Sequence, residues 1–415
     1  MVLKFCGGIK PQFRSKIGSV PTEYTGSAGA VCFYVPENSD ITLECGPDTR
    51  VLRGSLLAQI NDTPVYSSVS GNFRGILEIS GNNYLTVMSD GKNETINLFE
   101  PETRNITDIT GEEITELARR YGIIDTRSGR PLWKMMREIA GKCKRVITDC
   151  TDCTPESAIS YRLCLEKPES VVGGSKILLH ALNAGKGVIA VEEYRNSALS
   201  ALSEKAKDPL MFAFALVEEK MPYTDRALIQ AVYNTELRKG ESASDRGCLI
   251  IGAETALALY ECIRDGFPQT DRYISACGEG FSREKNLCVP AGMLIKDIEK
   301  LCGGIAPHYV IAENSLLENK KAEGALSSSA RALVACRPVR KEALPCIDCG
   351  ECRKVCMARI NPADIMQKNV KIRLDTAKKC IDCRCCDSVC PCYIPLYSMI
   401  ENERSEYRKG SEAVL

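Results

Sequence analysis

Up to about residue 100, apolar and polar positions alternate over short stretches, at 31–35, 41–45 and 76–79. Turn-forming runs at 46–54 and 67–71 separate them. Period-two alternation broken by Gly, Pro, Asn and Ser predicts half-buried strands and a small β domain. From about residue 110 the period changes: Ile114, Leu117 and Ala118 share one face of a helix expected over 112–121. The apolar runs at 146–148 and 187–191 suit buried strands, and 227–237 and 253–264 suit helices. This alternation of strand and helix predicts an α/β layer domain up to about residue 265. A compact strand–turn–helix piece is expected over 270–303, and the small, polar stretch 316–329 reads as a linker. The tail from Glu401 is charged and is expected to fray.

The 415 residues exceed what one core organises, so several domains are expected. Lys plus Arg and Asp plus Glu both number 54, and a chain without basic excess offers no nucleic-acid surface. No apolar signal core opens the sequence, and the longest apolar run, 209–217, falls far short of the roughly 20 residues a spanning helix needs. The expectation is a cytoplasmic protein, peripheral to a membrane only through a partner.

Cysteine changes this picture. Of 23 cysteines, 10 lie between Cys346 and Cys392. In a reducing compartment such density reads as metal ligation or redox chemistry rather than as a disulfide scaffold. His180 and His308 are the only two histidines, which argues against His-based sites. The motif Cys346-x-x-Cys349-x-x-Cys352-x-x-x-Cys356 recurs as Cys380-x-x-Cys383-x-x-Cys386-x-x-x-Cys390-Pro391. Three cysteines at steps of three wrap one cuboidal cluster, and the fourth ligates the neighbouring one. Cys346, Cys349, Cys352 and Cys390 are therefore assigned to one four-iron four-sulfur cluster, and Cys380, Cys383, Cys386 and Cys356 to a second. Zinc sites pair two C-x-x-C knuckles and have no use for a third cysteine at the same spacing. Met357 replaces the Pro that often follows the fourth cysteine. Cys385 and Cys392 read as space-filling neighbours, and Cys164, Cys262 and Cys302 as core. A second pattern, Cys150-x-x-Cys153 after the run 146–148, reads either as two ordinary thiols in a turn or as a redox dithiol. The dithiol is carried forward as the catalytic candidate.

These features together resemble the C subunit of the Rnf electron-transport complex along nearly the whole chain. The resemblance rests on Gly7-Gly8-Ile9-Lys10-Pro11, on Arg50 to Gly54 followed by Val69-Ser70-Gly71, and on Leu165 to Glu169. It continues through Gly278-Glu279, Val289-Pro290 and Cys302-Gly303-Gly304 to the paired Cys motifs. It implies a barrel-sandwich-like β domain (1–105) and a Rossmann-like, flavin- and NADH-binding α/β domain (106–265). A small β-grasp domain (266–304), a linker (305–335), a two-cluster ferredoxin-like module (336–400) and a charged tail (401–415) follow. The family's Gly-rich G-x-G-G-A-G-F-P-T loop is replaced here by Gly122 to Pro131, with Asp125, Thr126 and Arg127 where glycines would stand. Its N-G-A-E-C-E-P becomes Asp149 to Pro155, and its D-D-R-L becomes Ser160 to Leu163. Close backbone approach to phosphate needs glycine, so FMN is doubtful and no flavin- or NADH-contacting residue is assigned. These departures resemble a subgroup of Rnf-C-like carriers associated with D-proline reductase. The expected function is electron relay through two clusters to a partner reductase of that kind. The alternatives are an NADH-oxidising, flavoprotein-like subunit of a membrane Rnf complex, a dithiol reductase using Cys150 and Cys153, and a structural iron–sulfur adaptor.

Overall fold

The computed structural model describes residues 2–11, 15–26, 28–79, 81–97, 102–208, 210–237, 240–314, 321–338 and 342–412. After β1 (Thr22–Tyr24), the alternating N-terminal stretches form β2 (Ala30–Val35), β3 (Ile41–Leu43), β4 (Arg50–Val51), β5 (Leu56–Ile60), β6 (Thr63–Tyr66), β7 (Gly71–Ile79) and β8 (Asn82–Ser89). They build two small antiparallel sheets, ordered β2-β8-β7-β4 and β3-β5-β6. Val31, Val35, Phe73, Leu85 and Val87 point into one core, as the period-two pattern requires.

The α/β unit begins with α1 (Gly111–Arg120) and α2 (Leu132–Ile139). Thr110 and Glu113 close a reciprocal capping box that starts α1. Next come β9 (Arg145–Asp149), α3 (Ile159–Glu166), α4 (Pro168–Ala181), β10 (Lys186–Glu192), α5 (Asn196–Lys205), β11 (Phe212–Val217), α6 (Asp225–Tyr233), β12 (Cys248–Gly252) and α7 (Ala253–Asp265). The four strands form an all-parallel sheet in the order β11-β10-β9-β12. Both faces are covered, so its strands are continuously apolar. Val146, Ile189 and Ile251 face the core shared with α3, α4 and α7. Ile147, Val188 and Ile250 face the opposite one.

A five-stranded sheet follows, from β13 (Asp271–Cys277), β14 (Lys285–Pro290), β15 (Val310–Glu313) and β16 (Ala332–Cys336), with α8 (Ile295–Leu301) after β14. Its order is β1-β14-β13-β16-β15, so the N-terminal strand is built into it. This corrects the linker expected over 305–335. Its two ends are strands, because Ala332 to Ala335 is a fully buried run and Ile311 and Ala312 are buried against it. Within the expected linker, residues 315–320 lie outside the described residues. The Cys-rich region consists of α9 (Glu351–Lys354), α10 (Val370–Lys379), α11 (Cys385–Val389) and α12 (Leu396–Glu412) joined by tight loops. The frayed tail is likewise corrected. The chain from Leu396 to Glu412 is helical, and Arg404 ties it down by donating to the carbonyls of Ala377 and Cys380 and to Asp382. No helix among the described residues is long and apolar enough to cross a membrane.

Candidate functional site

The two Cys motifs come together as crossed sets. Cys346, Cys349, Cys352 and Cys390 line one small cavity. In the second set, Cys386 lies within electrostatic reach of Cys380, Cys383 and Cys356, and Cys356 within reach of Cys383. Loop geometry produces this grouping. Asp348 and Gly350 in the first motif, and Asp382 and Arg384 in the second, hold positive φ, which bends each loop so that backbone N–H groups face the thiols, as the Asp348 N–H does for Cys346 Sγ (3.4 Å). The short helix α9 then carries the fourth cysteine away from its own loop. Cys346 and Cys349 are exposed, whereas Cys356 and Cys386 are buried. Among the described residues no three His, Cys, Asp or Glu side chains converge tightly enough for a single metal ion. Cys392 packs in the module's own core with Ile394, Leu396 and Ile400.

The module is docked on the face of the parallel sheet that carries Ile147 and Val188. Met357 and Cys385 are fully part of that core, and the Cys385 thiol points at the carbonyl of Met221 (3.9 Å). The N-terminal segment seals the joint. The Gly8 N–H bonds the Val355 carbonyl at 2.9 Å, and Gly7, at φ +68°, leaves no space for a Cβ, which would meet Met357 N at 2.6 Å. Met357, where Pro often stands, is thus an anchor, a role that only its distant partners reveal.

A cleft of about 1070 Å³ opens beside the second thiol set, with Arg127, Lys134, Cys153, Arg272, Arg331 and Cys383 on its walls. Cys153 and Cys383 therefore face the same space. Cys150 does not share it. Its N–H continues the pairing of β9 to the Ala190 carbonyl (2.9 Å), and its side chain is buried in the helix-covered core. A hydrogen bond to Cys164, with burial, pushes the Cys150 thiol well above the usual range. Cys153 sits instead against Ser157 and Asn314, and burial pushes it up to about 11. The expected Cys150–Cys153 dithiol is not the arrangement seen. The two thiols enter different cores, Cys150 finds Cys164, and neither environment favours thiolate.

At the carboxyl ends of the parallel strands, where α/β sheets bind ligands, a network of the chain's own charged side chains lies beside this cleft. Asp125 is fully buried. Its carboxylate accepts from the Gly252 N–H (3.1 Å) and the Thr255 hydroxyl (2.9 Å) at the start of α7, and from the Ser128 N–H (2.9 Å) and hydroxyl (2.7 Å). Arg127 spans the crevice from Asp149 (2.7 Å) to Asp225 (2.5 Å) and the Tyr223 carbonyl (2.9 Å). Beside it, Arg195 pairs with Asp152 (3.2 Å), and the Asp152 N–H donates to Glu192 (2.9 Å). Burial, reinforced by the Asp152 charge, pushes Glu192 up to about 8. The N-terminus of α7 thus holds a carboxylate, and a Cβ on Gly252 would meet Thr126 Oγ1 at 2.5 Å.

Residues 126–261 match the family model of the Nuo51 FMN-binding domain. Over 387 residues the chain is 23% identical to the C subunit of a proton-translocating ferredoxin:NAD+ oxidoreductase complex from Clostridium ljungdahlii, covering 88% of this chain and 84% of that protein. Over 388 residues it is 25% identical to the C subunit of the Na+-translocating complex from Acetobacterium woodii, covering 88% and 86%. An NAD+-reducing [NiFe]-hydrogenase in the H2-reduced state has a similar fold, with a TM-score of 0.51 and 11% identity. That match covers 73% of this chain and 61% of the hydrogenase chain, so this protein spans about three fifths of it. The family match lends no support to the expectation that flavin is doubtful, and none of these relatives is described as serving a D-proline reductase. The chain is thus a mixed α/β, multidomain protein similar along most of its length to the C subunit of ion-translocating ferredoxin:NAD+ oxidoreductase complexes.

Proposed function

We propose that this chain is the peripheral electron-relay subunit of an Rnf-type ferredoxin:NAD+ oxidoreductase assembly, passing single electrons through two four-iron four-sulfur clusters. The observation that carries the reading is the crossing of the motifs, with Cys390 joining Cys346, Cys349 and Cys352 around one cavity and Cys356 joining the Cys380–Cys386 set. Crossed ligation holds two clusters close together, an arrangement that serves transfer between them. The cleft shared by Cys383 and Cys153 gives a redox group access to the second cluster. A narrower reading, a carrier that serves D-proline reductase, keeps the same two clusters and differs only in the partner.

The test is anaerobic iron and acid-labile sulfide analysis with electron paramagnetic resonance of the dithionite-reduced protein. About eight iron and eight sulfide per chain are expected, with spectra of two interacting clusters. Stoichiometric zinc with little iron overturns the reading. Replacing Cys390 by Ser should impair the cluster held by Cys346, Cys349 and Cys352, and loss confined to the other cluster refutes the crossing. Co-purification separates the partners: Rnf-type membrane subunits support the assembly named, and a D-proline reductase supports the narrower reading.

A further inference from the structure

The start of a helix preceded by a tight turn is a phosphate seat, because free backbone N–H groups and the positive end of the helix dipole converge there. The matched FMN-binding family model covers residues 126–261, from the residue after Asp125 to within α7. In this protein the seat is occupied from within. Asp125 places one carboxylate oxygen on the Gly252 N–H and the Thr255 hydroxyl and the other on the Ser128 N–H and hydroxyl. The turn presses so closely on the helix that the Thr126 N–H also bonds Thr255 (3.1 Å). Independently of the hydrogen bonds, Thr126 Oγ1 lies 2.5 Å from where a Cβ on Gly252 would stand, so the turn and the helix start are in close contact. Arg127 lies beside it on the wall of the cleft, fixed between Asp149 and Asp225 and with its side chain only 9% exposed.

We infer that Asp125 is an internal replacement for a cofactor phosphate, occupying the phosphate seat at the start of α7 in this α/β domain. The domain retains the architecture of an FMN-binding fold while its charge is satisfied by the chain. The inference is independent of the relay proposal, because two clusters transfer electrons with or without a flavin beside them.

Two measurements on the full, cluster-loaded chain test it. The first is flavin content after anaerobic purification, with equilibrium dialysis against FMN. Well under one FMN per chain and no saturable binding at micromolar concentrations are expected, and one tightly held FMN per chain overturns the inference. The second uses Asp125→Gly, which removes the carboxylate and restores the small residue a phosphate turn needs. Folding is checked by circular dichroism and iron content. The variant should bind inorganic phosphate or FMN roughly tenfold more tightly than the wild type, the scale of one charge at a helix N-terminus. A folded variant with no gain for either probe overturns the replacement role. If the variant does not fold, the wild-type flavin content decides. Iron analysis separates the two proposals: loss of clusters refutes the relay, and bound FMN refutes the occupied phosphate seat.

Discussion

At the scale of single residues, spacing reveals which cysteines are special but not always which are neighbours. The eight motif thiols are legible because steps of three constrain a loop whatever surrounds it. Cys150 and Cys153 also have suggestive spacing, yet their fates are set by residues far away in sequence. Cys150 still runs in the β9 register and faces the helices, where Cys164 meets it. Cys153 lies beyond the bend and packs toward Ala158 and Cys277. Asp125 is a similar case: its two long-range donors, Gly252 and Thr255, are 127 and 130 positions away, and local sequence shows only that a charge has replaced a glycine. The expected outcome for the thiols is that oxidised wild-type protein contains no 150–153 disulfide by mass spectrometry. Cys150→Ser should destabilise the chain by about 1–3 kcal/mol, since it buries a hydroxyl in an apolar core, while iron content and dithionite reduction stay unchanged. Loss of electron transfer with intact clusters and stability would restore a redox role for Cys150.

At the scale of elements, strands with strong β-branched content were readable and those without it were not. The runs around Val146 and Val188 became β9 and β10 because both sheet faces are covered. β16 was hidden by its alanines, which bury as completely as valine but contribute little periodic signal. α12 was hidden by its charges. Its sequence reads as a solvated tail, but Arg373–Glu403 and Arg404–Asp382 turn those charges toward α10 and the second Cys loop. Arg404 is the main fastening, since it satisfies the carbonyls of Ala377 and Cys380 at the end of α10. Replacing Arg404 by Ala should therefore cost about 1–3 kcal/mol through unsatisfied carbonyls. It should also speed loss of the cluster ligated by Cys380, read as faster bleaching of visible absorbance under a chelator. An unchanged bleaching rate would mean that α12 does not support the cluster loop.

At the scale of the whole molecule, the parallel sheet joins everything else. One face takes α3, α4 and α7, the other takes α6 and the Cys-rich module, and its carboxyl ends hold a buried network of Asp, Glu and Arg that no single stretch of sequence announces. That network gives the protein a pH dependence whose sign follows from burial. Glu192 is fully buried, its Oε2 has no hydrogen-bond partner, and burial first, then the Asp152 charge, raises it to about 8. Burial likewise raises Glu254 to about 7 against the opposing pull of Arg272. In the unfolded chain both titrate near the ordinary glutamate value of about 4.3. Between that value and about 7 to 8 the folded protein holds protons that the unfolded chain has released, so its stability is greatest at the acid end and declines as pH rises. The thermal unfolding midpoint of the cluster-loaded protein should thus fall as pH is raised from about 5 to about 8. In a Glu192→Gln variant, which carries no charge to bury, the decline should be shallower and the midpoint at the alkaline end higher than in the wild type. Parallel profiles for the two proteins would show that Glu192 ionises in the fold as it does in water, and that the crevice is wetter than its packing implies.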